Sequence, residues 1–279
     1  MLGQRIITAV ILMAALLPAL FATSPLPFEA LTLLMIGAAG WEWARLNGFG
    51  SHPMAIGSGL VLGAACGASM GLVSRPEVLA PCWWLALVCW VGGGALALRV
   101  GPTGWPRLPS PARLALGLVL LWLAWLAMAR GRTIGVNFLL SVMCIVWMAD
   151  IAAYFGGRAF GRRKLAPTIS PGKSWEGVYS GALGVFVLAF AWMAMERQWP
   201  DGSRSVFAVL QQRWGLLGLL ACLLGLTALS VVGDLFESLV KRAAGAKDSS
   251  QLLPGHGGVL DRVDALLPVL PVAMALSQL

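Results

Sequence analysis

The stretch from Asp234 to Asp264, DLFESLVKRAAGAKDSSQLLPGHGGVLDRVD, carries nine charged side chains and a histidine in an otherwise apolar chain. Five of the twelve acidic residues fall within it. Charge beside hydrocarbon costs on the order of several kcal/mol per group unless it is paired or hydrated. A cluster this dense therefore reads as a working site. On a helix, Asp234, Glu237, Ser238, Lys241 and Arg242 stand at i, i+3, i+4, i+7 and i+8, along one face. Leu235, Phe236, Leu239 and Val240 take the other side. Carboxylates suit a hard cation, while Lys and Arg neutralise phosphate oxygens. The plainer alternative is a solvated helix end with i,i+4 ion pairs.

The residues that follow favour the site. Gly245 can end the helix, and Lys247-Asp248 opens a polar turn. In Pro254-Gly255-His256-Gly257-Gly258 the glycines let backbone approach a ligand closely. Asp261, Arg262 and Asp264 come next, with the two aspartates at i, i+3 and able to face one way. Two helix ends are thus expected to bring Asp234 and Asp261 together across a glycine-rich loop. Mg²⁺ with oxygen ligands and substrate phosphates is the guest this arrangement predicts, with a second cation admissible. Zinc is disfavoured by a lone histidine with no cysteine nearby.

A second polar tract lies upstream. Asp150 and Tyr154 precede GGRAFGRRKLAPTISPGKSWEG, residues 156–177, where Arg158, Arg162, Arg163, Lys164 and Lys173 make an anion-attracting patch. Gly172-Lys173-Ser174 is no Walker A loop, because Pro167 stands where its first glycine belongs and no strand precedes it. A positive-inside loop or a binding site for anionic lipid headgroups would explain the patch equally simply. The acidic cluster on the same side is what favours catalysis.

The elements that must position these residues are membrane helices. The chain is 58% hydrophobic and 11% charged, against about a quarter charged in a soluble domain. Its mean hydropathy is +0.80. The fold expected is all-α and polytopic, with nine spans near 6–22, 28–45, 54–73, 79–99, 112–129, 134–155, 178–195, 214–236 and 264–279. The second, sixth and eighth carry acidic residues at their ends. With the N-terminus inside, fourteen Lys and Arg fall on inner loops and six on outer ones, which places both polar tracts at the cytoplasm. The first span reads as retained rather than as a cleaved signal. Residues 1–130 form a packing half and 131–279 a catalytic half.

The net charge of +8 marks loop topology and not nucleic-acid binding, since no basic stripe with interleaved aromatics lies outside the spans. The five cysteines sit singly in apolar runs as core residues. Gly59, Gly63, Gly67 and Gly71 recur every fourth residue and favour packing within the monomer over a subunit contact. Trp41, Trp43, Trp83, Trp84, Trp199 and Trp214 are expected as interfacial anchors.

The residues Ser238, Lys241, Arg242, Lys247, Asp248, Pro254, His256, Gly257, Gly258, Asp261, Arg262 and Asp264 resemble, at every fixed position, the signature of the phosphatidate cytidylyltransferase family. KLAPTISPGKSWEG is similar to that family too, as is Ala149-Asp150 with Ala153-Tyr154; Ile151-Ala152 departs from it. The N-terminal half agrees only in length and hydrophobic pattern. The resemblance implies a reaction of CTP with phosphatidic acid, in a multi-pass protein of a bacterial inner membrane with its site facing the cytoplasm. Membrane lipids surround it, and a homodimer is implied by the resemblance alone. Within that implied reaction Asp234 and Asp261 hold the metal, with Asp264 and Glu237 as further candidates. Lys241, Arg242, Lys247 and Arg262 bind phosphates, and Asp248 and His256 orient the loop or nucleotide. Ser170, Lys173 and Glu176 complete the substrate pocket, with Ser238, Gly257 and Gly258. A transporter, or a CTP-dependent enzyme acting on an isoprenoid lipid, is the rival reading.

Overall fold

A computed structural model of the chain describes residues 2–50, 52–198 and 202–278. It is 79% helical. In order, the helices are α1 (Leu2–Phe21), α2 (Leu26–Leu46), α3 (His52–Ala68), α4 (Pro76–Val88), α5 (Gly94–Val100), α6 (Ser110–Ile134) and α7 (Val136–Phe160). Then come α8 (Trp175–Glu196), α9 (Val206–Ala243), α10 (Leu260–Val263) and α11 (Leu266–Gln278). A π-helical turn, Cys89–Gly93, joins α4 to α5. Each span expected from sequence falls on a helix. Among the described residues six helices are long and apolar enough to cross a membrane: Pro53–Leu72, Pro76–Val100, Ser110–Ile134, Val136–Phe160, Trp175–Glu196 and Val206–Ala243. The length of α2 suffices, but Glu29, Glu42 and Arg45 interrupt it. At 13 residues α11 is shorter, and it is buried along most of its length against α4, α6, α7 and α9.

One element was not expected. Between α7 and α8, β1 (Lys164–Ala166) pairs antiparallel with β2 (Ser170–Ser174), so the basic loop is a small hairpin. The ladder gives the loop's backbone groups internal partners, which a bare connection would leave to water. Ser174 then caps α8, accepting from Gly177 N at 3.2 Å.

Helices α7 and α8 approach closely because small residues line both faces. A Cβ added at Gly177 would lie 2.9 Å from the Ala153 carbonyl oxygen, and one at Gly181 the same distance from that of Ala149. Replacing Gly181 with valine is expected to part the two helices and destabilise the protein by about 1–3 kcal/mol. Thermal unfolding in detergent measures this; an unchanged midpoint would contradict the contact.

The long α9 bends at Gly215, whose φ of 68° and ψ of −174° only glycine adopts readily. Beyond the bend the helix runs unbroken to Ala243, past the polar face read from sequence. Phe236 locks that end: its ring sits 6.0, 5.5 and 5.3 Å from those of Trp43, Trp90 and Trp105. Burial of these large rings against one another fixes the rotation of α9 and hence the direction of Glu237 and Lys241.

Two tryptophans expected at the membrane surface are core residues instead. Trp43 and Trp83 are buried, donating to the Arg113 carbonyl and to Gln278 Oε1 at 3.0 Å each. Their indole N–H finds a partner inside, so burial leaves no orphan donor. Trp84 and Trp214 do face outward, and Trp199 lies outside the described residues. The glycine stripe divides similarly. Gly59 packs on α2, where its Cβ would meet the Gly37 carbonyl oxygen at 2.5 Å, whereas Gly63, Gly67 and Gly71 meet nothing. The described cysteines are all free.

Candidate active site

Two ionic groups meet where α9 ends. In the first, Lys241 pairs with Glu237 one turn back and donates to Asp261 Oδ1 at 2.6 Å. Asp261 Oδ2 accepts from Ser249 N at 2.9 Å, Ser249 Oγ at 2.7 Å and Gly258 N at 2.8 Å. Burial alone would raise this carboxyl, but Lys241 and the donors of Gly258 and Ser249 hold it down at about 2. Asp261 is thus a fully engaged anion that closes the 247–260 loop on itself. The loop starts as expected, with Gly245 at φ 68° and Ala246 N donating to the Lys241 carbonyl at 2.8 Å. Gly258 has no room for a side chain, because a Cβ there would run into Ser249 and Glu42.

The second group lines a cavity of about 500 Å³ between α7, β2, α8 and α9. Asp150, Arg158, Ser170, Lys173 and Asp234 supply polar walls; Val178 and Val231 are among the apolar ones. Lys173, carried in by the hairpin, is paired with Asp234. Ser238 Oγ lies 3.4 Å from Asp234 Oδ1. Asp264, in the turn between α10 and α11, belongs with this group. A Cβ at Gly233 would sit 2.5 Å from the Asp264 carbonyl oxygen, so α9 touches that turn directly beside Asp234.

The structure therefore sets Asp234 and Asp261 in separate ion pairs, and lays the Asp264 backbone against α9 beside Asp234. Asp261 turns back to the loop, while Asp264 Oδ1 accepts from Ala265 N at 2.8 Å. Arg242 is exposed and donates to the Ala246 carbonyl at 3.3 Å. Lys247 and Asp248 are exposed beside Arg45 at a separate, polar cavity of about 700 Å³. Arg262 is exposed as well. His256 is half-buried, with a buried Nδ1 that lacks a partner. Gly257 has φ 77° and lies against Asp261. Glu176 stands apart from the cavity, accepting from Arg162 N at 3.0 Å and Arg163 N at 3.2 Å to close the hairpin's entry.

Sequence reasoning missed three residues. Asp150 was noted but not placed at the site, although it lines the cavity with Asp234. Glu42 of α2 is completely buried and accepts from both serines of the signature loop. Thr8 of α1 donates to the Pro254 carbonyl at 2.8 Å. A carboxylate between Trp41 and Trp43 at the end of an apolar run was the available signal for Glu42.

Apolar helices fit for a membrane, gathering lysines, carboxylates and a glycine turn at one end, define a membrane enzyme that handles phosphorylated substrates. The chain belongs to the cytidylyltransferase family, whose model matches residues 3–279. It is 40% identical over 286 residues to a phosphatidate cytidylyltransferase of Pseudomonas aeruginosa, covering 99% of this chain and 97% of that one. It is 37% identical to the phosphatidate cytidylyltransferase of Haemophilus influenzae, over 97% and 96% of the two chains. Similarity to that of Thermotoga maritima, at 38%, extends over about half of each chain (51% and 49%).

Proposed function

We propose that this protein transfers the cytidylyl group of CTP to phosphatidic acid, forming CDP-diacylglycerol and pyrophosphate. Relatives of that printed activity span nearly the whole chain. The observation that carries the chemistry is the cavity holding Lys173, Asp234 and Asp150 over apolar walls, a place for a phosphate on a hydrocarbon tail. A transporter is displaced by membership of the family.

In the reaction an oxygen of the lipid phosphate attacks the α-phosphorus of CTP. The bond from that phosphorus to the bridging oxygen of the β-phosphate breaks, and pyrophosphate leaves. A phosphomonoester is already an anionic nucleophile at neutral pH, so no strong general base is needed. The obstacle is repulsion between two anions, and cationic side chains at the reacting oxygens lower it. Lys173 is placed to meet one phosphate, with Arg158 beside it and Ser170 as a neutral donor. Lys241 is taken up by Glu237 and Asp261, so its task is to hold the loop that carries Arg262 and His256. Arg242, Lys247 and Arg262, all exposed, are free to reach the nucleotide's phosphates. Asp248 and His256 would orient it.

Magnesium fits this donor set. Among the described residues no three His, Cys, Asp or Glu side chains gather to hold a cation by themselves. Asp234 and Asp264 together offer two carboxylates, and Mg²⁺ commonly takes one or two of these plus substrate phosphates and water. When bound, the cation would offset phosphate charge and polarise the α-phosphate. Asp261 and Glu237, expected as ligands with Asp234 and Asp264, are paired with Lys241, as Asp234 is with Lys173.

The reading includes nine spans, an N-terminus in the cytoplasm and a site facing CTP there, in a bacterial inner membrane; the Lys and Arg asymmetry supports it. It also includes a homodimer, with the unfilled face at Gly63, Gly67 and Gly71 as its support. The test is radiolabelled CTP with phosphatidic acid and Mg²⁺ in detergent micelles. Label is expected in the lipid phase; none with several phosphatidic acids, or label on an isoprenoid phosphate instead, would reject the proposal.

A further inference from the structure

We propose that Glu42, on the second helix, is a positioning residue for cytidylyl transfer, acting through Ser249 on Asp261; this rests on the activity proposed above. Its carboxylate is 0% exposed. Both oxygens are saturated by one segment of chain more than two hundred residues away. Oε1 accepts from Ser250 Oγ at 2.5 Å and Val259 N at 3.0 Å. Oε2 accepts from Ser249 Oγ at 3.2 Å and Leu260 N at 2.7 Å.

Three full donors, with the single Ser249 hydroxyl proton shared between Glu42 and Asp261, make strong, charge-assisted bonds that a neutral group cannot reproduce. Val259 N and Leu260 N belong to the residues that open α10, so Glu42 fixes where Asp261, Arg262 and Asp264 begin. Ser249 is shared: its hydroxyl also stands 2.7 Å from Asp261 Oδ2. A continuous polar chain thus runs from Glu42 through Ser249, Asp261 and Lys241 to Glu237, from α2 to α9. Gly258 is glycine because the same carboxylate and Ser249 fill the space a Cβ would need. The N-terminal half is thereby part of the catalytic apparatus and not only packing.

Glutamine tests the charge with little change of shape. Its amide has one acceptor oxygen, and its NH₂ would face a backbone N–H at Val259 or Leu260. Rates, melting and hydrogen exchange are to be measured on the full chain in phosphatidic acid micelles for Glu42→Gln, Ser249→Ala, Ser250→Ala and Glu42→Gln with Ser249→Ala. Glu42→Gln is expected to lower kcat on the order of 10–100-fold, as loss of an outer partner does at other sites, with KM for CTP and lipid within about threefold. Exchange should rise in residues 249–261 and nowhere else. The double variant should lose less than the product of the two single losses, because both converge on Asp261.

If Glu42→Gln does not fold, Ser250→Ala reads the same clamp, with a smaller fall in kcat and the same local rise in exchange. Wild-type kcat in both, or losses that multiply in the double variant, overturns the inference. If the wild type labels no lipid, the proposed activity fails instead. The clamp is then judged by exchange alone, and unchanged protection of 249–261 in the variants overturns it.

Discussion

Asp264→Asn is expected to abolish cytidylyl transfer, with kcat falling on the order of 10²–10³-fold or more, while the protein stays as stable as before or becomes slightly more so. The two effects have one cause. Asp264 is a half-buried carboxyl in the turn that α9 touches beside Asp234. Lys173 is already engaged by Asp234, so without a metal ion a second carboxylate there is under-compensated, and asparagine keeps the shape while removing that charge. A site that stores repulsion for its ligand gains stability when the ligand's partner is deleted. Transfer of label from CTP and thermal unfolding, each measured with and without Mg²⁺, check both halves. Activity within tenfold of wild type would remove Asp264 from the metal site. Asp261→Asn is a useful contrast, since it breaks the pair with Lys241 and should lower stability as well as rate.

Lys241→Met is the second large effect, and it acts on the fold first. Lys241 bridges Glu237, which is 2% exposed, and Asp261. Methionine would leave two buried carboxylates without their cation, at a cost of about 3–5 kcal/mol. Activity should vanish with the loop geometry. Replacing Glu237 by leucine in the same protein should recover part of the stability, because an apolar pair tolerates burial where a lone charge does not. It should not recover turnover, since Asp261 still lacks its partner. Chemical unfolding alongside the CTP assay separates the two; a Lys241→Met protein as stable as wild type would mean that water reaches these carboxylates.

The helices were legible because hydrophobic runs about twenty residues long admit few other structures. The polar face of α9 was legible for the same kind of reason: spacing at i, i+3, i+4 and i+7 holds wherever the helix continues, and here it does. The hairpin at Lys164–Ser174 was hidden, since its strands are three and five residues long and the second, SPGKS, is mostly turn-forming types. Trp43 and Trp83 misled because tryptophan near a span's end serves as an anchor or as a buried donor, depending on what lies opposite. The pairing of carboxylates could not be read from local spacing. Asp261 and Asp264 share a helical face on paper, but Ser249 and Gly258 claim the first and the approach of α9 at Gly233 decides the second. Glu42 lies far along the chain from what it holds, so only the folded arrangement shows its partners.

The bend at Gly215 acts as a ruler. A bilayer's hydrocarbon is spanned by about 20 helical residues, so a straight run beginning at Leu216 reaches the far boundary near Phe236. On the proposed topology, Glu237 to Arg242 would then emerge at the depth where lipid headgroups lie. A phosphatidic acid molecule can meet its nucleotide partner there with both tails still dissolved among their neighbours. Extracting it would expose methylenes to water at about 0.8 kcal/mol each, a cost that this placement avoids for substrate and product alike.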